Sequence, residues 1–362
     1  MNIGIITFHC SYNFGSAIQT FALRRQLEIM GNTAHVIDYR GVDFEQYRLL
    51  RLGSARALAS SVVSLSKNRR RSKSFEYFFQ NYFSMTRRFT VDSQSELEGL
   101  RDDFDCFVCG SDQIWNLDCT GGPVGPYFLD FAGDRKRVAY APSLAHASFA
   151  PENFTEHDRE FIGEQLDRFG AISVREASTV GLFQPLTENK IDVCLDPTLL
   201  LGGEDYRGVI APAPVEGPFV FAYMLEENPA VMRQAEHVAH EAGARVAYVF
   251  RRGRRLSAPS VNLYGVGPSE FLCLVKSAEA VVTNSFHATV FSLIFGTPFQ
   301  TIATRSSGSR MRELLETLGE AHHLIEGDTG EMPQAANQDA LTDKLNGLRA
   351  HSLAFLDRAL AE

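Results

Sequence analysis

The sequence predicts an α/β protein with two Rossmann-like domains, each built on a parallel sheet. Strand-like and helix-like segments alternate in both halves of the chain, which is typical of parallel strands joined by crossover helices. The chain has 362 residues, more than one hydrophobic core usually supports. Two such sheets would face a central cleft at the carboxyl ends of their strands, where open α/β sheets bind ligands.

The N-terminal domain is expected over residues 1–198. It opens with a strand over 3–8, a helix over 17–30 and a strand over 34–39. Ser16 and Gln19 form the pattern of a capping box before that helix. A helical, basic insertion is expected at about 43–100. The remaining predicted elements are strands over 104–109, 138–141 and 171–174, and a helix over 154–169.

Residues 199–217 are rich in proline and glycine and are expected to link the domains. The C-terminal domain is expected over 218–345, and a C-terminal helix over 346–362. The predicted strands here are 219–224, 245–250, 280–283 and 298–302. The predicted helices are 229–242, 268–276, 285–295, 310–318 and 339–360.

The composition is that of a soluble globular protein, with 44% hydrophobic and 22% charged residues. A formal net charge of -9 gives no general reason to expect nucleic-acid binding. The N-terminus lacks the pattern of a signal peptide, and no apolar run is long enough to cross a bilayer, so a cytoplasmic protein is expected. Basic runs at 67–73 and 251–255 are more typical of solvated loops, but leave contact with an anionic substrate or a membrane surface open.

The six cysteines are scattered along the chain. Cys106 and Cys109 form a lone CxxC inside a strand pattern, and no second pair completes a zinc site. We therefore expect six reduced thiols, mostly buried, and no metal.

The segment around His287 carries the strongest functional signal. An apolar strand pattern ends at Asn284 and Ser285, and a helical pattern begins at once, so His287 falls in its first turn. A helix start attracts anions and favours the neutral imidazole, which can exchange protons with a bound anionic substrate. The alternative is that His287 only packs or caps the helix.

Polar loops follow other predicted strands. After the strand at 104–109, Ser111, Asp112 and Gln113 could hydrogen-bond sugar hydroxyls, and Asp112 could act as a base. Trp115 could stack on a sugar, but the core is the better interpretation. The loop with Asn13, Gly15 and Ser16 is similar to an anion cradle, although a simple tight turn explains it equally well. The small residues at 139–146 are explained by shape alone.

Three arginines could bind the charge of a substrate. Arg175 directly follows a buried strand, where its planar fork suits a carboxylate or a phosphate; the alternative is an internal ion pair with Glu176 or another acid. Arg305 and Arg310 lie among small residues after the last strand. They could clamp a phosphate or belong to an ordinary surface.

Five motifs in order resemble the polysaccharide pyruvyl transferase family, over roughly residues 1–300. They are Asn13-Phe14-Gly15 with Ile18-Gln19, Gly110-Ser111-Asp112-Gln113-Ile114-Trp115-Asn116, Ile172-Ser173-Val174-Arg175-Glu176, Leu195-Asp196-Pro197-Thr198-Leu199-Leu200, and Thr283-Asn284-Ser285-Phe286-His287-Ala288. Phe14 stands where the family commonly has tyrosine, and Ala288 where it commonly has glycine.

The resemblance implies a two-domain fold similar to GT-B glycosyltransferases. It implies transfer of a pyruvyl group from phosphoenolpyruvate to sugar hydroxyls of a cell-surface or exopolysaccharide precursor, commonly as a cyclic ketal, with release of phosphate. No metal or nucleotide cofactor is implied. His287 would then act as acid and base, with Asn284, Ser285, Arg175, Arg305 and Arg310 at the donor. Asp112 would act on the acceptor, with Asn13, Gly15, Ser16, Ser111 and Gln113 around it.

Two other functions remain open at this point. A nucleotide-sugar glycosyltransferase of the same fold could hold a diphosphate at the helix start near Ser285 and the basic loop at 305–310. A non-catalytic saccharide-binding relative is the second alternative. The sequence does not indicate which sugar accepts the group or whether the acceptor is lipid-linked.

Overall fold

The computed structural model describes residues 1–41, 65–145, 154–250, 256–303 and 308–361. The chain divides into two compact units. The first unit comprises Met1–Arg48, Phe79–Leu201 and Asn346–Glu362, and the second comprises Leu49–Phe78 and Gly202–Leu345. Part of the predicted insertion, the basic run at 251–255 and Arg305 lie outside the described residues.

The first unit is built on a six-stranded sheet in which every pair is parallel. The strand order is β2-β1-β5-β6-β7-β8. The strands are β1 (Asn2–Ile6), β2 (Thr33–Val36), β5 (Cys106–Gly110), β6 (Lys136–Tyr140), β7 (Ala171–Val174) and β8 (Ile191–Val193). A separate parallel pair joins β3 (Tyr39–Arg40) to β4 (Phe89–Thr90).

Six helices lie in the described part of this stretch of the chain, and the second of them belongs to the second unit as far as Phe78. They are α1 (Phe14–Ile29), α2 (Leu65–Tyr82), α3 (Leu117–Thr120), α4 (Glu156–Leu166), α5 (Ala177–Phe183) and α6 (Pro197–Leu200). A 3₁₀ segment covers Val91–Asp102. Close packing of α1 on the sheet depends on Gly110, because a Cβ there would collide with the side chain of Leu23.

The predicted capping box at the start of α1 is wrong. The helix begins at Phe14, and Asn13 is its N-cap, with Oδ1 accepting from the amide of Gly15 at 2.9 Å. Ser16 and Gln19 therefore lie inside the helix. The amide nitrogen of Gln19 instead donates to Thr7 Oγ1 at 3.0 Å.

The second unit is built on another six-stranded, all-parallel sheet, in the order β11-β10-β9-β12-β13-β14. Its strands are β9 (Phe219–Tyr223), β10 (Arg245–Val249), β11 (Ser260–Asn262), β12 (Ala280–Thr283), β13 (Phe299–Ile302) and β14 (Leu324–Ile325). The helices are α7 (Pro229–Glu241), α8 (Pro268–Ser277), α9 (Phe286–Phe295), α10 (Gly308–Leu318) and α11 (Gln338–Ala361).

The end of α11 belongs to the first unit, because residues from Asn346 onward cluster there. Phe355 and Leu356 lie in one hydrophobic core with Ile3 of β1 and Val138 of β6. This burial of apolar surface attaches the helix to the first sheet.

The fold-class prediction is confirmed: the protein is α/β, with two parallel six-stranded sheets. Five of the six free cysteines are buried and Cys119 is exposed, which confirms the expectation of mostly buried thiols. Among the helices of the described ranges, none has the length and apolar character needed to span a bilayer.

Candidate functional site

A group of buried polar residues lies beyond the carboxyl ends of β5 to β8, together with Ser16 of α1. We call this group the first-unit cluster. It consists of Ser16, Ser111, Asp112, Ser143, Arg175, Glu176 and Asp196, all buried. The carboxyl ends of parallel strands meet at one edge of a sheet, and this edge is where open α/β sheets bind ligands.

Asp112 is held in place on several sides. Its backbone has a φ of 64°, a left-handed conformation that aspartate tolerates better than most residues. The hydroxyl of Ser16 donates to its Oδ2, and the amide of Gln113 donates to its Oδ1 at 2.9 Å. Its carbonyl accepts from the amide of Ser143 at 2.8 Å. The carboxylate is therefore fixed, and a hydroxyl already lies against it.

Arg175 is the cation of the first-unit cluster. Its Nε donates to Glu176 Oε1 at 2.9 Å, and its Nη1 donates to Asp196 Oδ2 at 2.7 Å. Burial opposes the charged guanidinium, but Glu176, Asp196 and Asp112 outweigh that effect, so the pKa of Arg175 lies above its ordinary value. Arg175 is therefore charged and forms internal ion pairs, which was one of the two interpretations of this residue.

The carboxylates around Arg175 have further donors. Glu176 Oε1 accepts from the hydroxyl of Ser143 at 2.7 Å. Asp196 Oδ1 accepts from the amide and the hydroxyl of Thr198, at 3.0 and 2.6 Å, and so caps the short helix α6. The role of Asp196 at Arg175 was missed. The aspartate-proline pair indicates a helix start but carries no signal for a partner elsewhere in the chain.

A second group lies beyond the carboxyl end of β12 and at the start of α9. We call it the second-unit cluster: Asn284, Ser285, Phe286, His287 and Arg310. Ser285 is the N-cap of α9, and its Oγ accepts from the amide of Ala288 at 3.4 Å. His287 is the second residue of the helix and so lies in its first turn, as predicted; the residue is buried, with only 8% exposed.

Asn284 fixes the loop that follows β9. Its Oδ1 accepts from the amide of Leu225 at 2.9 Å, and its Nδ2 donates to the carbonyl of Glu226 at 2.8 Å. The side chain therefore joins the ends of two adjacent strands. Its contribution to the site is to hold the backbone around the start of α9.

Arg310 and His287 flank the same aromatic ring. The guanidinium carbon of Arg310, in the first turn of α10, lies 5.5 Å from the ring centroid of Phe286. The ring of His287 lies edge-on to that phenyl ring, with 5.2 Å between the centroids. The structure thus brings a cation, an imidazole and a helix start together, a combination suited to an anion.

The other predicted residues have structural contacts. Asn13 caps α1, and Gly15 donates to that cap. Gln113 Oε1 accepts from Asn116 Nδ2 at 2.9 Å. Trp115 is fully buried, with its ring stacked on Phe128 and its Nε1 donating to the carbonyl of Tyr127 at 3.0 Å, which confirms the core interpretation.

A buried ion-pair group near the end of β1 was also missed. His9 Nε2 lies 3.1 Å from Asp38 Oδ1, and Nε of Arg40 donates to the same oxygen at 2.8 Å. Burial opposes ionisation of Asp38, but His9 and Arg40 outweigh that effect and hold its pKa below the ordinary value. The separation of these residues along the chain gave no signal for their contact.

Side chains of the types that bind metal ions also come together in the second unit. Within the described ranges, Glu320, His322 and His323 are the one set of three acidic, histidine or cysteine residues whose ligand atoms lie within 4.8 Å of one another. Burial and the neighbouring His322 lower the pKa of His323. Neither cluster described above contains these residues.

Comparison with known proteins gives a family and a fold. The sequence model of the polysaccharide pyruvyl transferase family matches residues 13–306. No curated protein matches the sequence. The solved structures that resemble this one include the UDP-GlcNAc 2-epimerase from Methanocaldococcus jannaschii, with a TM-score of 0.51 and 16% identity over 96% of this chain and 92% of that chain.

A protein of Listeria monocytogenes assigned as a UDP-N-acetylglucosamine 2-epimerase gives a TM-score of 0.51 and 10% identity, over 97% of this chain and 96% of that one. The glycosyltransferase SnogD from Streptomyces nogalater gives a TM-score of 0.43 and 13% identity, over 100% and 98%. At these identities the likeness concerns the fold.

Proposed function

The chain belongs to the polysaccharide pyruvyl transferase family, and from this premise we propose that it transfers a pyruvyl group from phosphoenolpyruvate to hydroxyls of a saccharide. The product is a ketal on a precursor of a cell-surface or exported polysaccharide, and phosphate is released. The observation that carries the proposal is the family match, which includes the residues of both polar clusters except Arg310.

The proposed reaction balances without an oxidant or a further reactant. Carbon 3 of phosphoenolpyruvate gains one proton, and the first sugar oxygen bonds to carbon 2. The second sugar oxygen then replaces the phosphate at carbon 2. Two hydroxyls lose a proton each; one proton is needed at carbon 3, and the other leaves with the phosphate.

The second-unit cluster has the groups that the donor requires. Phosphoenolpyruvate carries a carboxylate and a phosphate, and the start of α9 and the guanidinium of Arg310 suit such anions. We assign donor binding to Ser285, Asn284 and Arg310, and proton transfer and assistance to the leaving phosphate to His287. Arg305 is proposed for the donor from its place in the sequence alone.

The first-unit cluster supplies the proposed acceptor groups. The fixed carboxylate of Asp112 already accepts a hydrogen bond from the hydroxyl of Ser16. We propose that this carboxylate also accepts the proton of a sugar hydroxyl. Ser111 and Gln113 are proposed to help orient the acceptor. Arg175 remains a candidate for the charge of the donor, although two of its nitrogens donate to Glu176 and Asp196.

The first test replaces His287 by alanine. We expect the turnover number for phosphoenolpyruvate-dependent phosphate release to fall by roughly 10²–10⁴-fold, because a positioned acid–base group contributes about that much. Ketal formation, followed by NMR of a competent acceptor, should fall in parallel. The matched control is His240→Ala, at an exposed histidine of α7 that should leave turnover unchanged. Near-normal turnover in His287→Ala would remove His287 from the chemistry.

Ligand-induced thermal stabilisation tests the donor itself. Phosphoenolpyruvate should raise the melting temperature of the wild-type protein, since a ligand that binds only the folded state stabilises it. Stabilisation by UDP-sugars but not by phosphoenolpyruvate would instead favour a nucleotide-sugar glycosyltransferase. Tight saccharide binding with no turnover of either donor would favour a binding protein.

A further inference from the structure

Glu320, His322 and His323 lie in a short connection between α10 and β14. Ala321–His323 form a 3₁₀ turn there. Glu320 and His323 are buried, at 4% and 2% exposure, while the side chain of His322 is 58% exposed. The group therefore has two ligands fixed inside the unit and one that meets the solvent, so an ion can reach it.

Two distances between the possible ligand atoms can be compared with those of a tetrahedral site. His323 Nε2 lies 3.1 Å from Glu320 Oε2, and His322 Nε2 lies 3.8 Å from the same oxygen. Bonds of about 2.0–2.1 Å to a tetrahedral zinc ion place ligand atoms roughly 3.3 Å apart. One pair is near this value, and the exposed His322 must move by about 0.5 Å toward the oxygen. All three ligand atoms lie within 4.8 Å of one another.

The orientation of His323 is set from its other side. Its Nδ1 lies 3.0 Å from the carbonyl oxygen of Phe299. Its ring stacks on the phenyl ring of Phe299, with 4.0 Å between the ring centroids. A carbonyl only accepts, so the proton of a neutral imidazole belongs on Nδ1. Ligating histidines commonly make this hydrogen bond, which directs the lone pair of Nε2 toward the ion.

In that tautomer, two hydrogen-bond acceptors face each other. The lone pair of His323 Nε2 and the carboxylate oxygen of Glu320 are 3.1 Å apart in a buried position. A proton shared between these atoms would satisfy the pair, and so would a metal ion bound to both. A divalent ion satisfies both atoms and can also bind His322.

We propose that Glu320, His322 and His323 form a binding site for a divalent transition-metal ion, and that zinc is the ion this ligand set suits. Two imidazoles and one carboxylate are a known zinc ligand set, with water at the fourth position. Neither the proposed transfer nor its residues depend on this site.

The position of the site separates it from the second-unit cluster. Phe299 begins β13 and His323 directly precedes β14, so the site lies at the amino ends of these parallel strands. His287 follows the carboxyl end of β12 in the same sheet. The ion is therefore at the opposite edge from the second-unit cluster, where it would join α10 to the edge strand β14.

The test is zinc binding to the metal-free, full-length protein, measured by isothermal titration calorimetry. We expect one equivalent of zinc to bind and to raise the melting temperature. His322→Ala should weaken zinc binding by at least about tenfold, comparable to the loss of an important ligand contact. The side chain of His322 is exposed, so this variant should keep its fold and its melting temperature without zinc.

A matched control is His240→Ala, which removes an exposed histidine beside Glu241 elsewhere in the same unit and should leave zinc affinity unchanged. Cobalt(II) should give the intense visible absorption of a four-coordinate site in the wild type and lose it in His322→Ala. Absence of a saturable equivalent of zinc would overturn the proposal. So would equal affinity in His322→Ala, or binding that is lost only in Cys119→Ser, at the exposed thiol.

Discussion

At Arg175, one buried guanidinium faces two buried carboxylates through separate nitrogens. Both bonds are short, at 2.9 Å to Glu176 and 2.7 Å to Asp196. Low exposure strengthens their attraction and makes removal of one partner costly, because the remaining charges have lost their hydration. Arg175 therefore has a stabilising role whether or not it also contacts a donor.

Replacing Arg175 by methionine should lower the free energy of unfolding by about 3–5 kcal/mol, because it leaves the two carboxylates buried without their cation. Urea denaturation of the variant and the wild type measures this loss. Arg207→Met is the control: its ion pair with Glu204 is exposed and should contribute about 0–1 kcal/mol. Equal losses in the two variants would contradict the importance of the buried pair.

The residues of the clusters were predictable because polar side chains at the ends of apolar strands are conspicuous in the sequence. Asp112, Arg175 and His287 were found in this way. Their contacts were not predictable: Asp196 lies 21 positions from Arg175, and Ser16 lies 96 from Asp112. Such pairs form through the order of strands in the sheet, which periodicity does not reveal.

At the scale of the element, the start of α9 combines three functions. Ser285 ends the strand connection and caps the helix, Asn284 ties down the loop after β9, and His287 occupies the first turn. Asn284 and Ser285 are held by hydrogen bonds with backbone groups. A donor bound at this helix start would therefore meet groups that need little rearrangement.

Ser285→Ala tests this combination. Loss of an N-cap costs about 0.5–2 kcal/mol of stability, and we also expect a higher KM for phosphoenolpyruvate, because the helix start is less well fixed. Thr155→Ala is a matched control, since Thr155 caps α4 through the amide of Asp158 at 3.2 Å.

The Thr155 variant should lose similar stability without a change in KM. Urea denaturation and steady-state kinetics together separate the two effects. An unchanged KM in Ser285→Ala would argue against donor binding at the start of α9.

Central strands were predicted well, whereas three of the four edge strands of the two six-stranded sheets were not. The predicted bounds of β7 and β12 agree with the structure, because an apolar run buried on both faces has clear ends. β8, β11 and β14 were missed. Each has only two or three residues and lies at or next to a sheet edge, where burial on one side imposes a weaker pattern.

At the scale of the whole molecule, the position of a segment along the chain does not decide which unit it belongs to. The last residues of the described chain pack with the first strand: Leu356 and Phe355 share a core with Ile3. An amphipathic helix indicates that it has a buried face but not which sheet it covers. The sequence therefore predicted the helix without its location.

Leu356→Ala should lower the free energy of unfolding by about 2–5 kcal/mol, because it removes a fully buried side chain and leaves a cavity. Leu225→Ala, at an exposed leucine, should change it by less than about 0.5 kcal/mol. Chemical denaturation gives both values. A small effect of Leu356→Ala would contradict the packing of α11 on the first sheet.

The left-handed backbone at Asp112 restricts which sequences can occupy that position. Asparagine and glycine adopt this conformation readily, whereas valine, isoleucine and threonine adopt it only with strain. In a library randomised at codon 112 and sorted only for folded protein, the survivors should be enriched in aspartate, asparagine and glycine. A second sort for activity would then show which of the residues allowed by the backbone conformation also support the reaction, for which we expect the carboxylate to be needed.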